Sequence, residues 1–335
     1  MREAEHTSCW RDREDGEAEV QAAASLAHEP GGRPFVSVIV STRDRKDVLR
    51  RTLQAYRGQS HRAIEVLVVD NCSTDGTAEM LAGEFPEVRF VPTGWNGGYA
   101  RSMNLGVRHA KGDVFLFTPD DVVPDPAYVV GLVDALADEG VGAASGVLTE
   151  WPDTSRINFA GASISPLLRL RFERSRLPTT DEVMDVGIVP GLMAVRRAAF
   201  EAVGGFDGDF ATYFEDADLS LRLRGAGLRT VLAPRARARH VTHPLGTSYY
   251  REFFSRRNVV IFYAKHAPNS IVLGAFLGYT LGWAMPRDLI RALVRRDPQL
   301  AHATLAGNVW WIVHPRFLVR KRREMLKTRA SSRGR

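Results

Sequence analysis

The 335-residue chain is 44% hydrophobic with a formal net charge of +6, which suits a packed globular core and excludes a disordered or fibrous protein. Two cysteines, Cys9 and Cys72, cannot build a disulfide framework or a zinc cluster, so a reducing compartment is expected. Residues 1–33 hold no apolar run and read as a disordered extension without the core of a secretory signal, which predicts a cytoplasmic protein.

"FVSVIVST" (35–42) is an apolar, β-branched strand, and "RDRKDVLRRTLQAYRG" places Val48, Leu49, Thr52, Leu53 and Tyr56 at helical spacing before Gly58. "AIEVLVVD" (63–70) is a second buried strand, followed by the turn and cap residues of "NCSTDGTAEML" and a short helix. "VRFVP" (88–92), "YARSMNLGVRHA" (99–110) and "DVFLFT" (113–118) repeat the strand, helix, strand pattern. Alternation of this kind predicts an α/β fold with a Rossmann-like, mostly parallel sheet flanked by helices. Further on, "VGIVPGLMAVRRAAF" reads as strand then helix, "YFEDADLSLRLRGAG" as a helix with an acidic start, and "TVLAP" as a strand.

Ligands of such sheets bind at the carboxyl ends of the strands. Here those ends carry Thr42 to Asp44, Asp70 to Asp75, Asn96 to Gly98, and the adjacent pair Asp120 and Asp121. The first βα turn, "STRDRKD", has no glycine, which argues against dinucleotide binding, and no P-loop occurs. Asp120 and Asp121 are hard oxygen donors of the type that holds Mg²⁺ or Mn²⁺ against substrate phosphates. The same pair also suits a solvated turn before a helix opened by Asp125 and Pro126. Asp70 can accept a bond from a nucleobase or a ribose, while Ser73 and Asp75 suit capping of the next helix. Glu215, Asp216 and Asp218 fall in the first turn of a helix, where the macrodipole favours acids and depresses a carboxylate pKa. A base at Asp216 therefore needs burial or a neighbouring acid, and Glu215 is that neighbour. His240 and His243 are candidate ligands or structural histidines, and Arg256 and Arg257 are candidate phosphate binders.

The end of the chain, "RFLVRKRREMLKTRASSRGR", is strongly basic, and "NSIVLGAFLGYTLGWAM" (269–285) upstream carries no charge. Together they favour an anionic membrane surface over nucleic acid as the partner. The uncharged run is at the lower length limit for spanning and equally suits a buried helix or one lying in the interface, so peripheral attachment is expected.

The segments quoted above, with "GWNGGYARSMNLG", "FLFTPDDVVPDP" and "PRARARHV", occur in an order that resembles a family 2 glycosyltransferase of the GT-A fold over residues 35–265. Within the family the chain is most similar to bacterial rhamnosyltransferase-like enzymes of cell-wall and polysaccharide assembly. The resemblance implies a nucleotide-diphosphate sugar donor (dTDP- or UDP-linked), a divalent cation (Mg²⁺ or Mn²⁺), inversion at the anomeric carbon, and a glycan or polyprenyl-diphosphate-linked acceptor at the inner membrane surface. By motif position it assigns Thr42, Arg43, Asp44, Asp70, Asn96, Gly98, Arg101 and Asp120 to the donor. It assigns Asp120, Asp121 and His240 to the metal, and Asp216 with Glu215 to catalysis. The first acid of the D-x-D pattern is replaced by Thr118, which shifts coordination onto Asp120 and Asp121. The expected organisation is an extension over 1–33, a transferase domain over 34–265, and a membrane-associating helical region with a basic tail over 266–335. A metal-dependent nucleotidyltransferase acting on sugar phosphates lacks its glycine signature in "STRDRKD". A non-catalytic membrane or glycan-binding protein leaves the ordered acids without a use.

Overall fold

The computed structural model describes residues 32–241 and 249–333, with side chains to residue 327. The expected extension lies outside the described residues except for its last two, and His243 also lies outside them.

The first half follows the predicted alternation: β1 (Val36–Thr42), α1 (Lys46–Arg57), β2 (Ile64–Asp70), α2 (Thr77–Glu84), β3 (Arg89–Pro92), α3 (Gly98–His109) and β4 (Val114–Pro119). The second half adds β5 (Val122–Pro124), α4 (Tyr128–Ala135), β6 (Val141–Trp151), β7 (Ile157–Phe159), and a hairpin of β8 (Ala162–Ile164) and β9 (Leu170–Phe172). After it come β10 (Met184–Asp185), β11 (Met193–Arg196), α5 (Arg197–Ala202), α6 (Glu215–Gly225) and the long β12 (Arg229–Val241). The chain then turns all-helical: α7 (Tyr249–His266), α8 (Ser270–Tyr279), α9 (Met285–Val294), α10 (Pro298–Val313) and α11 (Pro315–Arg333).

The main sheet has the order β10-β12-β6-β11-β4-β1-β2-β3. The strands β1 to β4 pair in parallel, and β11 enters antiparallel between β4 and β6. Val38, Ile39, Val40, Phe115, Leu116 and Phe117 are fully buried, which explains why these strands read as unbroken apolar runs rather than as alternations. The register aligns the strand ends: Thr42 lies opposite Asp70, Asp70 opposite Pro92, and Ser41 opposite Pro119. One edge of the sheet therefore gathers the polar turns predicted to converge.

Three local expectations are corrected. Asp120 and Asp121 do not sit in a solvated turn: Asp120 is buried, and β5 follows and pairs antiparallel with β12, placing Val122 opposite His240. The α4 helix starts only at Tyr128, after Asp125 has been engaged by Arg239 at 2.8 Å. The uncharged run 269–285 is not one helix, since α8 ends at Tyr279 and a π-helical turn, Thr280–Ala284, leads into α9. No helix among the described residues is long and apolar enough to cross a membrane.

The basic tail is also not free. Lys321 on α11 is buried, with its Nζ 2.8 Å from Asp207 Oδ1 and 2.7 Å from Asp209 Oδ2. Arg322 donates to the carbonyls of Ala264 and Ala267 at the end of α7. Arg257 on α7 stacks its guanidinium 4.4 Å from the Trp310 ring of α10. Charges that look like a solvated tail in the sequence thus fasten α11 onto α7 and the turn at Gly208–Phe210.

Candidate active site

The acid pair sits where β4 ends. Thr42 Oγ1 donates to Asp120 Oδ2 at 2.7 Å, and Thr52 Oγ1 donates to the Asp120 carbonyl at 2.7 Å. Arg45, from the turn after β1, places one nitrogen, Nη1, 2.9 Å from Asp120 Oδ1 and 3.0 Å from Asp121 Oδ2. His240 Nε2 approaches Asp121 Oδ1 at 3.3 Å, brought there by the β5–β12 pairing. Burial, reinforced by repulsion from Asp121, pushes the Asp120 carboxyl up to about 6 even though Arg45 and Thr42 oppose it. Burial also works to raise Asp121, but His240 and Arg45 outweigh it and hold this carboxylate below its ordinary range. His240 is raised in return, because the Asp121 contact outweighs the burial that disfavours its charge.

The donor set of the pair fits a hard divalent ion: two adjacent carboxylates, with Asp121 Oδ1 buried and without a hydrogen-bond partner. The expected trio of Asp120, Asp121 and His240 is not preformed as a metal cluster, and no group of three such side chains among the described residues is. Thr118 does not replace the missing acid, since its hydroxyl is buried and donates to the Pro119 carbonyl at 2.9 Å.

The second centre is the start of α6. Ala211, Tyr213 and Phe214 all adopt left-handed φ, at 57°, 65° and 71°, a costly run for residues with side chains and one that marks functional sites. Asn258, fully buried on α7, clamps this loop: its side-chain amide donates to the carbonyls of Phe210 at 2.7 Å, Thr212 at 2.6 Å and Tyr213 at 2.9 Å. Gly98 is tied to the same loop, with φ of +73° and a position where a Cβ would stand 2.8 Å from the Ala211 carbonyl oxygen. Only glycine fits there.

The clamp presents Glu215 and Asp216 to a cleft of about 400 Å³ that also touches Pro119, Val122 and His240. Its opposite wall includes Leu170 and Phe172 of the β8–β9 hairpin. No ion pair among the described residues reaches Glu215 or Asp216, and Glu215 Oε2 is buried without a hydrogen-bond partner. Burial and then repulsion from Asp216 raise Glu215 well above the carboxylate range. Burial pushes Asp216 up to about 6, against the Ala217 and Gly191 amides, which favour its charged form. The expected depression by the helix dipole is thus overturned, because desolvation exceeds the pull of the helix terminus. Tyr99, whose hydroxyl donates to the Gly191 carbonyl at 2.5 Å, lines the same cleft.

The remaining predicted donor residues gather at the same sheet edge. Asp70 is buried and accepts from the Ser73 amide at 3.0 Å and from its hydroxyl. Asp44 adopts φ of 51°, receives Thr74 N at 2.7 Å, and donates its own amide to Ser73 Oγ at 2.8 Å. Arg43 reaches Asp44 at 3.5 Å, and Asn96 is buried with its side chain accepting from Gly98 N at 3.2 Å. Arg101 is engaged elsewhere, donating to the Gly208 carbonyl at 3.1 Å and covering Trp95. Arg256 and Arg257 are engaged within the scaffold: Arg256 pairs with Glu252 and Asp288, each at 2.7 Å, and Arg257 Nη1 holds the Asp209 carbonyl at 2.9 Å.

A family model for glycosyl transferase family 2 matches residues 37–204. The chain belongs to glycosyl transferase family 2. It is 32% identical over 221 residues to the N-acetylglucosaminyl-diphospho-decaprenol L-rhamnosyltransferase of Mycobacterium tuberculosis (strain ATCC 25618 / H37Rv), covering 57% of this chain and 71% of the relative. It is 30% identical over 221 residues to the O-antigen biosynthesis protein RfbC of Myxococcus xanthus, covering 62% of this chain and 17% of that protein. Among solved structures, the mannosyltransferase PcManGT from Pyrobaculum calidifontis in complex with GDP-Man and Mn²⁺ superposes with a TM-score of 0.55 at 23% identity, covering 91% of this chain and 88% of that one. GalNAc-T7 with UDP, GalNAc and Mn²⁺ gives a TM-score of 0.57 at 16% identity over 70% of this chain and 51% of that one. The fold is thus that of GT-A glycosyltransferases, and the family 2 chain is a glycosyltransferase, as the order of its motifs implied.

Proposed function

We propose that the protein is an inverting glycosyltransferase that moves a rhamnose-like sugar from a nucleoside-diphosphate donor to a hydroxyl of a glycan or polyprenyl-diphosphate-linked glycan. The observation that carries this reading is one cleft lined by Glu215 and Asp216, which meet no ion-pair partner among the described residues, and by His240, whose Nε2 lies 3.3 Å from Asp121 Oδ1. Asp216 takes the proton of the acceptor O–H, and the oxygen forms its bond to the anomeric carbon from the face opposite the leaving group. The anomeric C–O bond breaks and its electron pair leaves with the nucleoside diphosphate. Glu215, kept protonated by burial and by its neighbour, adds no second negative charge and leaves Asp216 poised near the pH at which a base works best. A divalent ion (Mg²⁺ or Mn²⁺) would be held by Asp120 and Asp121 and would supply charge stabilisation for the departing group. Thr42, Arg43, Asp44, Asp70, Asn96 and Gly98 form the donor side. Arg101 acts by positioning the 207–210 turn.

The name of the M. tuberculosis relative supports both the sugar and the lipid-diphosphate acceptor, and the Mn²⁺ complexes of the structural neighbours support the cation. We take 34–265 as the transferase unit and 266–335 as the region that places it, peripherally and from the cytoplasm, on the inner face of the cell membrane. A stripe of exposed apolar side chains along α8 and α9 supports attachment: Ile271, Tyr279, Trp283, Ile290, Leu293 and Val294. On α9 the polarity is inverted, with Asp288 buried against Arg256 while Leu293 is 71% and Val294 79% exposed. Arg295 and Arg296, exposed just after α9, add positive charge beside its exposed end, as suits a helix lying in an anionic interface.

The decisive assay is release of free nucleoside diphosphate from dTDP-rhamnose or UDP-sugars that appears only when acceptor is added. Release without acceptor, or no release with any donor, overturns the reading. For the membrane, Leu293→Ser with Val294→Ser is expected to cut sedimentation with anionic vesicles at least several-fold. Unchanged sedimentation removes α9 as the anchor. Deleting the tail is a poor test, because it also removes Lys321 and Arg322 from the fold.

A further inference from the structure

Arg45 stands where two like charges most need a partner. Its Nη1 bridges Asp120 and Asp121 at 2.9 and 3.0 Å, while its side chain remains 33% exposed against 5% and 13% for the two acids. The backbone that carries it is pinned on both sides. The Asp44 amide donates to Ser73 Oγ at 2.8 Å, the Lys46 amide donates to Asp75 Oδ2 at 2.8 Å, and the Arg45 carbonyl accepts from Val48 and Leu49 at the start of α1. The guanidinium is therefore the mobile part of an otherwise fixed turn. Only Nη1 makes a hydrogen bond among the described residues, so Nε and Nη2 retain donors in the planar fork that suits phosphate.

A singly charged guanidinium and a divalent ion compete for the same two carboxylates, since both answer the same negative potential. The ion attracts twice as strongly at equal distance but must shed water to bind. With two carboxylates at the site among the described residues, and Thr118 where the D-x-D pattern has its first acid, the protein alone gives the ion little advantage over a resident arginine. The diphosphate changes that balance by bringing further oxygens to the ion and by offering the guanidinium an anion of its own.

We propose that Arg45 is the resident cation of the acid pair in the donor-free enzyme, and that ion and donor bind as one unit that displaces it onto the diphosphate. Arg45 is then a donor-positioning residue as well as a counter-ion, and the enzyme takes up its cation with the donor rather than before it. This rests on the reading of Asp120 and Asp121 as the metal-facing acids.

The test is Mn²⁺ binding, followed by paramagnetic resonance of the free ion, with and without UDP or dTDP. The wild type is expected to bind Mn²⁺ weakly alone and at least tenfold more tightly with the nucleoside diphosphate. Arg45→Gln is expected to bind Mn²⁺ alone at least tenfold more tightly than the wild type and to lose most of the enhancement by the diphosphate, while Arg45→Lys restores wild-type behaviour. Equal Mn²⁺ affinity of the wild type and Arg45→Gln without nucleotide overturns the proposal, as does an undiminished diphosphate enhancement in Arg45→Gln. Absence of Mn²⁺ binding to the wild type even with nucleotide overturns the metal reading and the exchange with it. Arg45 lies on a partly exposed turn whose backbone is held by other residues, and unfolding curves of both variants check that the comparison is made on folded protein.

Discussion

Two acid groups on a single helix, α6, show opposite chemistry only two residues apart. Glu215 and Asp216 face the cleft with no ion-pair partner among the described residues, and burial raises both. Asp218 points into the scaffold, where Arg222 lies at 2.8 Å, Lys265 at 2.6 Å and His266 at 2.8 Å. Burial works to raise Asp218 as well, but Arg222 and Lys265, with the His266 contact, outweigh it and drive the carboxylate well below its ordinary range. The same residue class at the same helix terminus thus becomes a proton acceptor or a structural anchor according to what the third dimension brings to it. The anchor is extensive, because Lys265 also meets Asp207 at 2.7 Å, and Asp207 in turn holds Lys321 of α11.

The sharpest way to break this comparison is to neutralise each acid. Asp216→Asn is expected to lower transfer by roughly 10²- to 10⁴-fold, while raising stability at neutral pH by on the order of 1–3 kcal/mol, because an unpaired, desolvated charge is removed. Activity near wild type, or a loss of stability in urea, would show that the carboxylate is not the unpaired base described. Asp218→Ala is expected to do the reverse, leaving the largely buried Arg222 without its carboxylate and Lys265 with Asp207 alone, at a cost of about 3–5 kcal/mol. A midpoint of denaturation unchanged from the wild type would sink the anchor role.

Asn258→Ala probes the clamp between the two. Loss of three carbonyl contacts should destabilise the fold by about 1–3 kcal/mol, and kcat should fall more than KM rises, because the left-handed turn that aims Asp216 relaxes. A folded variant with wild-type kcat would leave Asn258 with a purely structural role.

The smallest effect is in pH. Asp216 must be ionised to accept a proton, so kcat should climb from the acid side through about pH 6 and level above it. The two acid groups also tilt stability in opposite senses. Glu215 and Asp216, raised in the folded state, make stability fall as pH rises from the ordinary carboxylate range through their folded values. Asp218, depressed when folded, contributes stability that is present above the ordinary range and lost as pH falls below it. In Asp216→Asn part of the first slope should vanish from the stability–pH curve and the second should persist; an unaltered curve would mean that Asp216 does not carry the raised proton.

Much of this was legible in one dimension. The parallel strands were readable because both of their faces are buried, which makes them continuous apolar runs. Their polar ends marked the site edge for the same reason, since a strand leaving the core must finish in residues that water or a ligand can satisfy. Glycine at position 98 was singled out by motif, and its necessity follows from the Ala211 carbonyl that no sequence pattern reveals. Arg45 and Asn258 were not singled out. A basic residue in a polar turn looks solvated, and one asparagine within "RRNVVIFYA" carries no periodic signal, although its polarity inside an apolar stretch was the available clue. The helix expected after Asp125 and Pro126 forms as α4, but the short strand β5 before it was not legible, because its partner β12 lies more than a hundred residues away in sequence.

By itself the sequence determined the family, the parallel half of the sheet and the set of acids that face the ligand edge, because hydrophobic periodicity and motif order are local properties of the chain. Only the tertiary structure decided which acid meets a cation and which does not. That choice placed Arg45 on Asp120 and Asp121, left Glu215 and Asp216 without a counter-charge among the described residues, and turned the basic tail into an anchor on α7. The physical reason is that protonation and ion pairing depend on burial and on partners within a few ångströms, and those partners arrive from distant segments.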